Sequence, residues 1–171
     1  MRLLSSILVA AIFAGATIAL WAYLNRPATL PPWPKRIQGF AFSPYRIHQD
    51  GSLERQPTVQ ELEQDLALLA GKTVAVRTYS VLGTLGEVPR LAWQQQPHIK
   101  VALGAWLGED KVRNEKEIAK AVHIAQNAPN IIRLFVGNES LLRKELNVSE
   151  LTAYLDRVRE AVDKPVSTAE P

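Results

Sequence analysis

From Ile37 onward the chain alternates between apolar runs of strand length and segments with helical periodicity, and this alternation restricts the fold more than any other feature. The stretches "IQGFAFSPY" (37–45), "TVAVRTYS" (73–80), "IKVALGAWL" (99–107) and "NIIRLFVGNE" (130–139) read as strands, and "KPVSTAEP" (164–171) opens a fifth. Between them lie helical patterns. In "TVQELEQDLALLAG" (58–71), Thr58 and Glu61 form a capping box, Leu62, Leu66 and Leu69 share a face, and Gly71 is a stop signal. Residues 84–96 read as a second helix. In "NEKEIAKAVHIAQNA" (114–128), Ile118, Val122 and Ala125 are in register, and "SELTAYLDRVREAV" (149–162) is a fourth helix. Strands that alternate with helices imply a parallel sheet with right-handed crossovers.

Two closures satisfy that pattern, an open doubly wound sheet and a closed eight-stranded barrel. Strand starts at 37, 73, 99, 130 and 165 recur about every 32 residues. Eight such units need about 256 residues, near the ~250 typical of the barrel. A nucleotide-binding doubly wound domain carries a glycine-rich turn after its first strand. Here that turn is "SPYRIHQDGS", with one glycine. The missing phosphate loop disfavours the nucleotide fold, while periodicity alone leaves the closure open.

The N-terminus is a separate object. Leu3 to Leu24 contains no charge. As a helix it spans ~33 Å, against a hydrocarbon core of ~30 Å. Trp21 and Tyr23 stand at its far end, where amphipathic rings favour the interface. We read residues 1–24 as a transmembrane anchor. A cleaved signal peptide is the rival, since Ala14-Gly15-Ala16 has the small-x-small form. "NRPATLPPWPKR" (25–36) is a linker in which four prolines favour an extended spacer. The expected organisation is anchor 1–24, linker 25–36 and domain 37–171. The expected location is the inner (cytoplasmic) membrane, single-pass, with the domain facing the periplasm or exterior.

Composition removes several chemistries. With no cysteine, disulfides, thiol catalysis and thiolate metal sites are excluded. The formal charge of +3 on 171 residues implies no basic patch, so no nucleic-acid partner is expected. His48, His98 and His123 lack ligand spacing, and neither a metal nor a cofactor is expected.

In parallel αβ folds, chemistry collects at the carboxyl ends of the strands. Those ends carry Ser43-Pro44-Tyr45, Arg77-Thr78-Tyr79, Ala105-Trp106, Asn138-Glu139 and Glu170. Aromatic rings, carboxylates, an amide and one arginine suit a neutral polyhydroxylated ligand: rings stack on sugar CH faces, and polar groups bind hydroxyls. Each residue has a plainer alternative. Tyr45 and Tyr79 can cap the core with their hydroxyls in water. Arg77 can pair with Glu139 or Glu170. Trp106 can be packing, and Asn138-Glu139 a turn pair.

"VGNE" at the end of the fourth strand resembles the acid/base motif of glycoside hydrolase family 17, the β-1,3-glucanase-like family. "GFAFSPYR", "VAVRTYSVLG", "KVALGAWLG" and "PVSTAEP" resemble the family's first, second, third and fifth strands, in order. The resemblance covers residues 37–171 and is nearest to the bacterial, membrane-linked branch. It implies a (β/α)8 TIM barrel, here about four βα units plus a fifth strand, that hydrolyses or transfers β-1,3- or β-1,6-linked glucosyl units with retention. Glu139 matches the general acid/base and Asn138 the amide beside it that binds the sugar 2-hydroxyl. Arg77, Tyr79 and Glu170 fall on strand ends that line the cleft, with Tyr45 and Trp106 as further sugar contacts.

A general acid must hold its proton near neutral pH, which partial burial beside aromatic residues promotes. Retention also requires a nucleophilic carboxylate ~5–5.5 Å from the acid. In the family it belongs to the seventh strand, whereas this chain reaches its fifth. The expectation is therefore that 37–171 is the N-terminal part of a longer barrel, completed by a C-terminal continuation or a partner module, and that the chain alone is inactive. The expected ligand is a β-glucan polysaccharide or oligosaccharide. The alternative is a non-catalytic carbohydrate-binding or scaffold domain on a membrane anchor.

Overall fold

The computed structural model describes residues 2–171 and divides into two units, one ending at Pro34 and one spanning Lys35–Pro171. In the first, α1 (Arg2–Leu24) is a single helix, exposed all round from Leu4 to Leu24. By length and composition it can cross a membrane. The chain from Pro27 to Pro34 has no regular secondary structure, and Leu30 and Trp33 are strongly exposed.

The second unit is a five-stranded parallel sheet in the order β1-β2-β3-β4-β5, each strand beside its sequence neighbour. The strands are β1 (Phe40–Ala41), β2 (Ala75–Arg77), β3 (Lys100–Ala105), β4 (Ile131–Asn138) and β5 (Val166–Ala169). The helices between them are α2 (Val59–Leu69), α3 (Val88–Gln94), α4 (Lys111–Asn127) and α5 (Val148–Ala161). Sequential parallel order is what repeated right-handed crossovers in one direction produce, and it is the order of a barrel wall rather than of a doubly wound sheet, where the order reverses.

The local signal acts as expected at the start of α2, and a cap not singled out in the sequence starts α5. Thr58 and Glu61 form their reciprocal capping box at α2, and Asn147 with Glu150 forms a second at α5. Gly71 adopts φ +77 just beyond α2. Leu62 and Leu66 are completely buried, each contributing about 1.5–3 kcal/mol. Leu69 packs against the same core at its margin. Three boundaries differ from the pattern. Residues 84–96 are not one helix: Gly83–Glu87 is a 3-10 turn, started by Gly83 at φ +59 and tied by Thr84, which donates to Gln56 Oε1 at 2.8 Å. Helix α4 starts three residues early because Asp110 accepts the Arg113 N–H at 3.0 Å. Its first turn carries no apolar stripe to announce it; Val112 is exposed.

The third difference is strand length. β1 and β2 have two and three residues in regular pairing, against nine and eight expected. Their pairing continues as separate hydrogen bonds, Ile37 to Lys72 O, Val74 to Ile37 O and Phe42 to Arg77 O. Pro44, without an N–H, cannot extend the ladder. After β2 the Thr78 hydroxyl replaces a carbonyl by accepting the Gly104 N–H at 3.0 Å.

Candidate functional site

The carboxyl ends of β1 to β4 open onto a cleft of about 510 Å³ lined by Ser43, Tyr45, Gly51, Tyr79, Ser80, Trp106, Arg113 and Asn138. Four predicted residues therefore share one cavity: Tyr45, Tyr79, Trp106 and Asn138. Each is only partly buried, so the rings are neither pure core nor free surface.

Arg77 reaches the cleft through Asn138. Its Nη2 donates to Asn138 Oδ1 at 2.8 Å, and its guanidinium lies 4.9 Å from the Tyr79 ring centre and 4.5 Å from that of Phe135. The ion pair with Glu139 or Glu170 that the sequence allowed is not formed. The amide takes that place because the positive charge is already stacked between two ring faces. With Oδ1 occupied, the Asn138 NH2 group is the end left to meet a ligand.

Glu139 follows at the turn out of β4. Gly137 adopts φ +81 and Glu139 φ +55. Left-handed backbone at a non-glycine residue costs about 1–3 kcal/mol and persists only where neighbours hold it. Here the Glu139 N–H donates to Ala169 O at 2.8 Å, and the Glu139 carbonyl accepts the Arg143 N–H at 2.8 Å. The side chain is exposed. The partial burial expected for it is absent: Tyr79 and Trp106 line the cleft after β2 and β3, while Glu139 follows β4 in a left-handed turn.

Glu170 is placed differently from expectation. Its two carboxylate oxygens accept the N–H groups of Ser140 and Leu141, at 2.8 and 3.1 Å. It braces the turn that carries Glu139 and is not among the residues lining the cleft.

Residues that the pattern did not single out complete the floor. Glu117 of α4 is fully buried. It accepts from Ser80 Oγ and from the Val81 N–H at 3.0 Å. One carboxylate of α4 thus holds the chain that leaves β2, just after Tyr79. Burial raises its pKa above the ordinary 4.5, against the opposing pull of those hydrogen bonds and of Arg113. Burial likewise raises Tyr45 above 10.0, opposed by Arg113 and reinforced by Asp50 and Glu117. Asn114, also buried, closes the β3–α4 loop by donating to Gly108 O and accepting the Gly108 N–H, at 2.8 and 2.9 Å. Only their spacing signalled them: Asn114, Glu117, Ile118 and Ala121 occupy one helical face, two polar residues on an otherwise apolar stripe.

The chain matches known proteins over this unit. The BtgE/BtgC glycoside hydrolase domain family matches residues 39–171. The btgC protein of Aspergillus niger, named as a glucan endo-1,3-beta-glucosidase, is 27% identical over 157 residues, covering 80% of this chain and 22% of that protein. Its counterpart in Aspergillus flavus is 25% identical over 160 residues, covering 82% and 22%. Among solved structures, a glycoside hydrolase family 17 beta-1,3-glucanosyltransferase from Rhizomucor miehei superposes with a TM-score of 0.64 at 24% identity, covering 78% of this chain and 49% of that one. An active-site mutant of the Rhizomucor enzyme, in complex with laminaritriose, superposes equally well. The chain spans about a fifth of the length of these curated relatives and about half of the solved enzyme.

Proposed function

The chain belongs to the BtgE/BtgC glycoside hydrolase domain family, and from that premise we propose that it forms the acid/base side of a β-glucan glycosidase or transglucosylase. Its substrates are β-1,3- or β-1,6-linked glucosyl units, processed with retention. The observation that carries this reading is the convergence of Tyr45, Tyr79, Trp106 and Asn138 on one open cleft, with Glu139 next in the chain. Aromatic faces and an amide suit a neutral sugar.

In this mechanism Trp106 and the two tyrosines hold glucosyl rings by stacking, and the free NH2 end of Asn138 bonds the 2-hydroxyl. That bond strengthens as oxocarbenium character develops. Arg77 orients the amide. Glu139 passes its proton to the glycosidic oxygen as the bond to the anomeric carbon breaks, and then takes a proton from the incoming water or sugar hydroxyl. The nucleophile must be a second carboxylate. Glu170 holds the backbone of Ser140 and Leu141, and Glu145 pairs with Arg143. The proposal therefore assigns the nucleophile to a strand of the completed barrel other than β1–β5. Residues 3–24 hold the domain at a membrane, with the domain on the exterior side.

The test is titration of the full chain in detergent with laminaritriose, followed by tryptophan emission. Saturable binding that Trp106→Phe weakens and that cellotriose does not reproduce is expected. No binding, or equal response to unrelated trisaccharides, sinks the proposal. Exposure of Glu139 and engagement of Glu170 favour one further reading, a carbohydrate-binding domain without catalysis. It predicts the same binding, with no glycosidic cleavage by the protein in which these strands are part of a closed barrel.

A further inference from the structure

We infer that Arg143 is a positioning residue, setting the Asn138-Glu139 turn and the Trp106 ring in fixed register with one another. The inference rests on the carbohydrate-cleft reading above and assigns a role to a side chain outside the strand ends.

Arg143 lies in the turn that follows β4, and its own N–H holds the Glu139 carbonyl. Its guanidinium then doubles back. Nη1 donates to the Asn138 carbonyl, and Nη2 donates to the Leu107 carbonyl at 3.0 Å. Leu107 is the residue after Trp106, so the two bonds link the ends of β3 and β4. The Arg143 Cζ lies over the Trp106 ring, 4.3 Å from the ring centre. Nε and Nη2 both reach Glu145 Oε2, at 2.9 and 2.6 Å, which fixes the rotation of the fork. Lys144 at φ +60 reverses the chain so that Glu145 can do this.

Four of the five N–H donors of the fork are thereby engaged by the residues around the cleft. Lysine cannot reproduce it, because an ammonium lacks the planar fork that makes two carbonyl bonds, a carboxylate pair and a stacked face together. Two consequences follow. The ring that would carry a sugar is stacked on a cation held rigid from below. The strained φ of Glu139 is held from both sides, through the carbonyl before it and through its own. Glu145 is the second member of the device, acting on Arg143 alone.

The experiment uses the full chain in detergent, laminaritriose as probe, and the variants Arg143→Lys, Trp106→Phe, the double variant, and Glu145→Gln. Arg143→Lys is expected to weaken binding on the order of 10-fold, the scale of a desolvated cation–π contact. The double variant should bind no more than ~2-fold worse than Trp106→Phe alone, since contacts that act through one another are not additive. Amide hydrogen exchange at Glu139 and Arg143 should accelerate in Arg143→Lys, while the amides of β2 and β3 keep their protection. Additive losses, unchanged binding, or exchange that rises uniformly through the sheet would each overturn the inference. If Arg143→Lys does not fold, Glu145→Gln is read by the same criteria. If wild type does not bind laminaritriose, the proposed function fails and this inference falls with it. Wild-type binding with additive variants defeats the positioning role alone.

Discussion

At the residue scale, Glu139 and Glu117 should respond to substitution in different ways. On the acid/base role proposed for Glu139, Glu139→Gln removes the proton donor and keeps its shape. In the assembled enzyme this is expected to cost ~10²–10⁴ in turnover of natural β-glucan. Aryl glucosides with good leaving groups need little protonation and should lose far less in the first step; equal losses argue against an acid role. Glu117 should instead control stability. Its folded pKa is raised by burial above the unfolded value of 4.5, so the folded state binds the proton more tightly. Its neutral form adds no burial penalty below pH 4.5. Stability is lost as pH rises from the unfolded pKa through the folded one. Glu117→Gln keeps an acceptor for the Val81 N–H and carries no charge. The melting temperature of the variant relative to wild type should therefore rise between pH 4 and pH 7, with Arg113 and Tyr45 the other titratable groups in contact with this charge. A difference that stays flat with pH removes the buried carboxylate as a pH-sensitive element. Asn138 and Glu139 could be read in the chain because they interrupt an apolar strand. Glu117 was marked only by its place on an apolar helical face, because "NEKEIAK" has the composition of a solvated helix surface.

At the element scale, β2 and β3 approach each other closely where the cleft begins. A Cβ on Gly104 would lie 2.2 Å from the Thr78 carbonyl oxygen and 2.7 Å from the Tyr79 Cα, both backbone atoms. No side-chain rotation relieves that. Gly104→Ala should push the strands apart and move Tyr79, at a cost of about 1–3 kcal/mol typical of overpacking. Urea unfolding is expected to show a lower midpoint, with laminaritriose binding weakened in the same variant. A midpoint equal to wild type would show that the sheet can shift at that place without cost. The Thr58–Glu61 cap made the start of α2 legible, because a cap acts through its own backbone within three residues; the caps Asp110 and Asn147 of α4 and α5 were not singled out. Strand ends were overestimated, because pairing stops where the partner strand departs, and no local signal reports that.

At the scale of the whole molecule, β1 and β5 are the outer strands of the sheet, and unpaired edges recruit other strands. Residues 35–171 expressed without α1 are expected to self-associate. Size exclusion with near-UV circular dichroism would show oligomers or weak aromatic signals rather than a sharp, cooperative monomer. A monomer with a cooperative melt would mean that these edges are protected by their own shortness and twist. For α1, alkaline carbonate extraction should leave the full chain in the membrane pellet, and protease added to sealed exterior-out vesicles should digest the domain. A soluble product starting near Thr17 would instead identify a cleaved signal, and complete protection would reverse the orientation.

What the chain alone determined was the set of parts and their order. Periods of two and of 3.6, capping boxes and an uncharged N-terminal run are properties of neighbouring residues, so parallel αβ architecture, the apolar helix and the Asn138-Glu139 strand end follow from local chemistry. Which of those residues would meet was decided only in three dimensions. Arg77 bonds Asn138, 61 residues away in sequence, and Glu170 braces a turn 30 residues before it. Arg143 links two strand ends beneath Trp106. These pairings depend on strand register, which long-range packing sets, and no window of neighbouring residues contains it.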